Sequence, residues 1–279
     1  MENSVENNKK EFKILDYSIW KILAYFIVYS VIGFIVETIY GMISKGTLES
    51  RQGLLYGPFC PIYGVGAVAM ILALHYFNKN TGRLFVGGFL VGSVVEYILS
   101  FLGEVILHLK WWDYSDRPFN LNGRICVYFS VMWGLLAVLF MSYFHPKVDK
   151  LMENIKLKLK HKTGKTIIVI ISIFLVIDCI LTMYALNAFF VRKVHDFNIP
   201  VENKEIVEIN YQKIYGSKTL SKITYTLFGD RKMIKTFPNL KVEDKDGNIV
   251  YFDTMVGDIK PYYYKFKLIK RNQNSWDVF

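Results

Sequence analysis

Of 279 residues, 52% are hydrophobic and 16% aromatic, and the mean hydropathy is positive, a balance that excludes an ordinary soluble globular chain and indicates an integral membrane protein. The formal net charge is +10, but the lysines gather beside apolar runs, where anionic lipid and topology account for them, so a nucleic-acid partner is not expected. Three cysteines, Cys60, Cys126 and Cys179, share no ligand spacing, which argues against a disulfide framework or a zinc centre, and no pattern asks for another cofactor.

Residues 1–20 are polar and charged and do not resemble a cleaved signal, so they read as a cytoplasmic N-terminal segment. A spanning helix needs about 20 apolar residues. Five runs meet or approach that length: 21–43, 57–77, 84–109, 125–144 and 166–191. The second is the weakest, because Pro58 and Pro61 interrupt its start. The expected fold class is therefore an all-α polytopic membrane protein of about five transmembrane helices over 21–191, followed by a small domain over 192–279.

Polar and small residues recur within these runs. Gly88, Gly92, Glu96, Ser100 and Glu104 follow one another every four residues, as do Tyr29, Gly33, Glu37 and Gly41, and each set makes one slowly drifting stripe on a helix. Ser130 and Gly134, then Asp178 and Thr182, add to the same polar interior. Close helix packing accounts for the glycines. A mid-membrane carboxylate costs roughly 2.5–3.5 kcal/mol on insertion scales, which packing alone does not require, so the acids are candidate functional groups. Glu96 and Asp178 lie deepest. Glu37 and Glu104 lie nearer helix ends, where headgroup water or pairing with Arg51 or Arg124 is the alternative.

Two loops stand out. The segment 51–66 is dense in Gly and Pro, which implies a bent or re-entrant backbone buried in protein or lining a wet cavity. The segment 111–126 begins with the interfacial anchors Trp111, Trp112 and Tyr114. The loop 145–165 carries Lys147, Lys150, Lys156, Lys158, Lys160, Lys162 and Lys165 against Asp149 and Glu153, which the positive-inside rule assigns to the cytoplasm. Lys9, Lys10, Lys13, Lys21, Lys79 and Arg83 agree with that side. An odd number of spans then exports the tail. Its alternating β-prone runs predict a β-rich extracytoplasmic domain with a hairpin over 241–252 turning at Asp246-Gly247. Asp244-x-Asp246-Gly247 lacks the further ligands of an EF-hand and reads as a plain turn.

Gly57-Pro58 with Cys60-Pro61-Ile62-Tyr63-Gly64, then Trp112-Asp113-Tyr114-Ser115 with Asn120, Asn122-Gly123-Arg124-Ile125 and Trp133-Gly134, resemble the signatures of the bacterial family of putative ABC-transporter type IV proteins. The likeness runs from about Ser30 to Gly134. Ser50-Arg51-Gln52-Gly53 departs from the family's Asn-Arg-Gly. The resemblance implies a multi-pass cell-membrane protein of transport. Thr163-Gly164-Lys165-Thr166 is not a phosphate-binding loop, because Leu159 stands where that pattern needs Gly. ATP hydrolysis would fall to a separate ATPase subunit, with membrane lipid and a second copy of the chain as the other candidate partners.

The transport reading makes this chain a permease component with an outward-facing polar cavity, substrate unspecified. Glu37, Glu96 and Glu104 would line it, and Arg51, Asp113, Asp116, Asn120, Asn122 and Arg124 would crown it. The alternatives are an intramembrane or interfacial enzyme acting on lipid or envelope precursors, and an envelope sensor or scaffold that uses the tail. The enzymatic reading ranks lower, since no nucleophile elbow or HExxH pattern is present. The histidines His75, His108, His145, His161 and His195 read as interfacial residues near span ends.

Overall fold

The computed structural model describes residues 13–77, 80–107, 112–158, 161–257, 259–260 and 262–265; Lys9, Lys10, Lys79, His108, Trp111 and Lys160 lie outside the described residues. A small strand pair, β1 (Lys13–Ile14) with β2 (Tyr17–Ser18), leads into α1 (Ile19–Lys45). The Ser18 hydroxyl accepts the Lys21 N–H at 3.4 Å, capping the helix where its first amides lack partners. There follow β3 (Thr47–Glu49), an irregular segment 50–60, α2 (Pro61–Leu74) with a 3-10 turn through Phe77, and α3 (Thr81–Leu107). The hairpin β4 (Asn120–Leu121) and β5 (Ile125–Cys126) precedes α4 (Val127–Leu139). A π-helical stretch, Phe140–Phe144, joins α4 to α5 (His145–Lys158), and α6 (His161–Asp196) completes the membrane-embedded part. The wide π turn falls just before Pro146, which has no N–H to continue the ladder.

Among the described residues, four helices are long and apolar enough to cross a membrane: Ile19–Lys45, Thr81–Val105, Val127–Ile155 and Lys162–Asp196. The fifth expected span is shorter, Pro61–Phe77. Its geometry explains why. Tyr17 hydrogen-bonds His75 at 2.9 Å, so the end of α2 lies beside the start of α1, while the Cys60 N–H reaches the Ser30 carbonyl at 2.9 Å, so α2 begins only midway along α1. Segment 50–60 occupies the remaining depth. Irregular backbone there needs protein partners, and it has them. Gly53 N–H donates to the Phe59 carbonyl at 2.9 Å, Gln52 Nε2 to the Gly57 carbonyl at 2.7 Å, and the Leu55 and Tyr56 amides reach side chains of α6. The bent backbone expected from Gly and Pro density is what the chain forms, with Leu54, Leu55 and Cys60 buried and Gly53, Tyr56 and Pro58 exposed.

α3 and α4 pack closely through their small residues. A Cβ added to Gly88 would lie 2.1 Å from the Ala137 Cβ, which only a residue without a side chain avoids. The Ser93 hydroxyl donates to the Ser130 hydroxyl across the same interface at 2.7 Å.

The tail departs from the β-rich expectation. It forms α7 (Lys204–Tyr215), α8 (Lys218–Phe228) and α9 (Asp230–Thr236), then β6 (Lys241–Glu243) paired with β7 (Ile249–Tyr251), the short α10 (Phe252–Met255), and β8 (Tyr262–Lys265) paired with β3. The hairpin lies where it was expected, with the Asp244 carboxylate accepting the Asp246 and Asn248 amides at 2.9 and 2.8 Å. The three helices arise because Val207, Ile214, Tyr215, Phe228, Met233 and Ile234 are buried together against the end of α6. Tertiary burial overrides the strand preference of β-branched residues.

One fully buried cation anchors this packing. Arg192 donates to the Tyr215 hydroxyl at 3.0 Å, the Phe228 carbonyl at 3.1 Å and Asp230 Oδ1 at 2.6 Å, and Lys193 Nζ reaches Asp230 Oδ2 at 2.7 Å. Burial pushes the Asp230 carboxyl up, but the Lys193 hydrogen bond and the two positive charges outweigh it and hold the group below its usual value. A carboxyl depressed in the folded state stabilises at pH above its unfolded pKa of ~3.9, and that contribution is lost as pH falls through the lower folded value. Protease resistance of the tail is therefore expected to stay flat from neutrality to about pH 4 and to fall below it. Asp230→Asn should flatten this acid limb and lower the neutral plateau by about 3 kcal/mol, because Arg192 loses its counter-charge in a buried site.

Candidate functional site

The acids of α1 and its following loop are paired locally. Glu37 accepts the hydroxyl of Tyr63, which α2 carries in its first turn. Arg51 does not reach Glu37; its Nη2 pairs with Glu49 at 2.9 Å, and Glu49, 7% exposed, also takes Lys45 at 3.3 Å and the amide of Asn239 from the tail at 3.4 Å. Lys45 hydrogen-bonds Asn239 as well. The β3 end of the first signature loop is thus tied both to α1 and to the tail.

α3 carries the most buried of the three glutamates. Glu96 is 7% exposed. It accepts the Tyr114 hydroxyl at Oε1 and the Trp133 indole N–H at Oε2, each at 2.9 Å. Its two partners come from the second signature loop and from α4. Glu104, two turns on, forms an ion pair with Arg124, whose guanidinium also lies 5.6 Å from the ring centres of Tyr97 and Phe101.

The remaining polar residues of the second loop build the loop itself. Asp113 Oδ1 accepts the Ser115 amide at 2.9 Å and its hydroxyl at 2.6 Å. Asn120 donates to the Ser115 and Arg117 carbonyls at 3.1 and 2.8 Å and accepts the Gly123 amide at 3.0 Å. Asn122 and Gly123, at φ of 54° and 65°, turn the hairpin between β4 and β5, in which Asn122, Gly123 and Arg124 lie between the paired Leu121 and Ile125. Asn122 Nδ2 donates to the Tyr97 hydroxyl at 2.9 Å, fixing the hairpin to α3, and Trp112 Nε1 donates to the Arg124 carbonyl at 3.0 Å. Asp116 is exposed in the preceding turn.

Asp178 lies on α6 with 1% exposure, and its Oδ2 accepts the Tyr56 amide at 3.2 Å. Thr182, one turn on, accepts the Leu55 amide at 2.9 Å. These two side chains cap consecutive amides of segment 50–60, in the manner of a helix N-cap but between distant elements. Of the candidates, then, Glu96 and Glu104 are joined to the second loop and Asp178 to the first. Glu37 is joined to α2. Among the described residues no hydrogen bond or ion pair links Glu37, Glu96 and Glu104 to one another, and each acid has its own partners.

A second polar cluster was not anticipated. At the lysine-rich end, Tyr25 donates to Asp149, Lys21 pairs with Asp149 at 2.8 Å and Glu153 at 3.4 Å, Tyr29 hydrogen-bonds the buried His145 at 2.9 Å, and His75 bridges Tyr17 and Asp16 at 2.9 Å each. His75 and His145 are thus part of a network between helices rather than solitary interfacial residues. The signal was present in α1: the four-residue stripe Tyr29, Gly33, Glu37 and Gly41 continues backwards through Tyr25 to Lys21.

The model of the family described as Putative ABC-transporter type IV matches residues 24–183, more than half of the chain. No curated protein and no solved structure matches it.

Proposed function

The chain belongs to the putative ABC-transporter type IV family, and on that premise we propose that it is the membrane-embedded permease component of a transport system in a bacterial cell membrane, with loop-capped carboxylates as its proton- or cation-binding groups. The observation that carries this reading is Glu96. A carboxylate at 7% exposure in an apolar helix is held by one donor from a surface loop and one from a neighbouring helix. Withdrawal of Tyr114 with its loop would open an acceptor toward the end of the bundle where both signature loops gather. An uncapped carboxylate at that depth binds a proton or a cation rather than remain bare. Glu104 with Arg124 and Glu37 with Tyr63 would serve as further stations, each released by movement of the element that covers it.

In this proposal the end carrying Lys21, Lys147, Lys150, Lys162 and Lys165 faces the cytoplasm and the tail is exported. A separate ATPase subunit would dock on α5 and the lysine-bearing connection to α6. Substrate selection would belong to the loop over 50–60 and to the Asn122-Gly123 hairpin.

The test is reconstitution into vesicles holding a pH-sensitive dye. An imposed potential is expected to drive proton entry through the wild-type protein, with or without partners co-purified from native membranes, and Glu96→Gln should reduce that entry at least tenfold, the equivalent of about 1.4 kcal/mol. Glu96→Gln vesicles that acidify at the wild-type rate, or wild-type vesicles that do not acidify under either condition, would overturn the reading.

A further inference from the structure

The lipid-facing belt of α6 has definite limits. Large apolar side chains are exposed along it from Ile167 to Tyr184, about 27 Å of helix at 1.5 Å per residue, close to the ~30 Å hydrocarbon core of a bilayer. Beyond Tyr184 the helix is enclosed by the tail, with Ala185, Leu186 and Phe189 buried. The exposed apolar belt therefore ends at Tyr184, an aromatic residue of the kind that sits at headgroup level.

α8 lies directly against this residue. The Tyr184 and Thr224 hydroxyls share a hydrogen bond of 3.0 Å, and the Phe228 ring meets Tyr184 edge-on at 5.8 Å. Thr224 and Phe228 point inward and are buried, whereas Leu220, Ile223 and Leu227 form an i, i+3, i+7 stripe exposed by 38%, 49% and 48%. Lys218 and Lys222 occupy a different arc, and α8 has no acidic residue.

We propose that α8 is an interfacial helix, resting its Leu220, Ile223 and Leu227 face on the bilayer that the chain itself spans, with Lys218 and Lys222 on the opposite, water-facing arc, within reach of the field of anionic headgroups. Apolar stripe, cationic arc and depth all match such a helix. The stripe also continues the lipid-facing belt of α6 at Tyr184, which a protein partner would not require. α8 passes through Gly229 into α9, whose Lys232 lies 4.5 Å from the ring centre of Tyr56. α9 thus joins α8 to segment 50–60.

Full-length protein with Cys60, Cys126 and Cys179 replaced, and with a single Leu220→Cys, Lys222→Cys, Ile223→Cys, Thr226→Cys or Leu227→Cys, can carry an environment-sensitive fluorophore in vesicles of phosphatidylcholine and phosphatidylglycerol. Labels at 220, 223 and 227 are expected to be quenched several-fold more by a shallow lipid nitroxide than by aqueous iodide, and labels at 222 and 226 the reverse. Equal aqueous quenching at all five positions overturns the proposal. So does disulfide cross-linking of Ile223→Cys between two copies in detergent, since a second copy then covers the face. Should the cysteine-free background unfold, hydrogen exchange of the wild-type α8 amides in vesicles with and without phosphatidylglycerol replaces it. Slower exchange with the anionic lipid is expected, and no difference overturns the proposal.

Discussion

Glu96→Ala should destabilise the protein by about 2–4 kcal/mol against thermal or denaturant unfolding in detergent, and more than Glu96→Gln does. The carboxylate is the acceptor for two buried donors, the Tyr114 hydroxyl and the Trp133 indole N–H. Alanine strands both, at about 1–3 kcal/mol for each unsatisfied group, whereas an amide still offers one oxygen. Removing the acid also removes its own desolvation cost, which opposes the loss. That cost is already offset in the folded state by two donors at 2.9 Å, so the orphaned groups decide the sign. A coupled change separates this account from simple loss of volume. Tyr114→Phe keeps the ring stacked on Phe129 at 4.6 Å but deletes the donor, so Glu96→Ala with Tyr114→Phe should recover about 1 kcal/mol relative to additivity. Strict additivity of the two substitutions would show that the hydroxyl and the carboxylate do not interact.

The parts of the molecule legible in the sequence are those governed by periodicity and by steric exclusion. Stripes at four-residue spacing identify the faces of α1 and α3 that meet α2 and α4, because small residues let helix backbones approach closely and polar ones are costly against lipid. Length along the membrane normal is less legible. Hydropathy sums through 54–60, where Leu54, Leu55, Tyr56 and Phe59 are as apolar as a helix, and so cannot separate a short helix with an inserted loop from a full span. Pro61 at the first helical position carries that information locally. Asn122-Gly123 likewise signals a hairpin turn. Once it is seen, Asp113, Asn120 and Asn122 read as loop-forming residues more readily than as ligands. The tail helices were least legible, since Ile, Val, Thr and Tyr favour strands locally and only the packing against α6 turns them helical. Pairings such as Glu49 with Arg51, or Tyr25 with Asp149, depend on which helices are neighbours, which one chain's pattern does not specify.

Asp178→Ala should raise the reactivity of Cys60 toward a membrane-permeant maleimide by about tenfold or more, measured with Cys126 and Cys179 replaced by alanine. Cys60 is 8% exposed and is held because its own amide is pinned to Ser30, four residues after the Tyr56 amide that Asp178 caps. Without the carboxylate, the Tyr56 N–H is left bare at membrane depth, a penalty of about 1–3 kcal/mol that the segment escapes by shifting. Each 1.4 kcal/mol taken from the closed state multiplies the open population tenfold, and labelling follows that population. Asp178→Asn retains a carbonyl oxygen for the Tyr56 amide and should label nearly as slowly as the parent. Thr182→Val, which strands the Leu55 amide instead, should fall between the two extremes or match alanine. If Asp178→Ala left Cys60 as protected as before, the cap would be dispensable, and the immobility of the loop would have to come from Leu54 and Leu55, its two buried leucines.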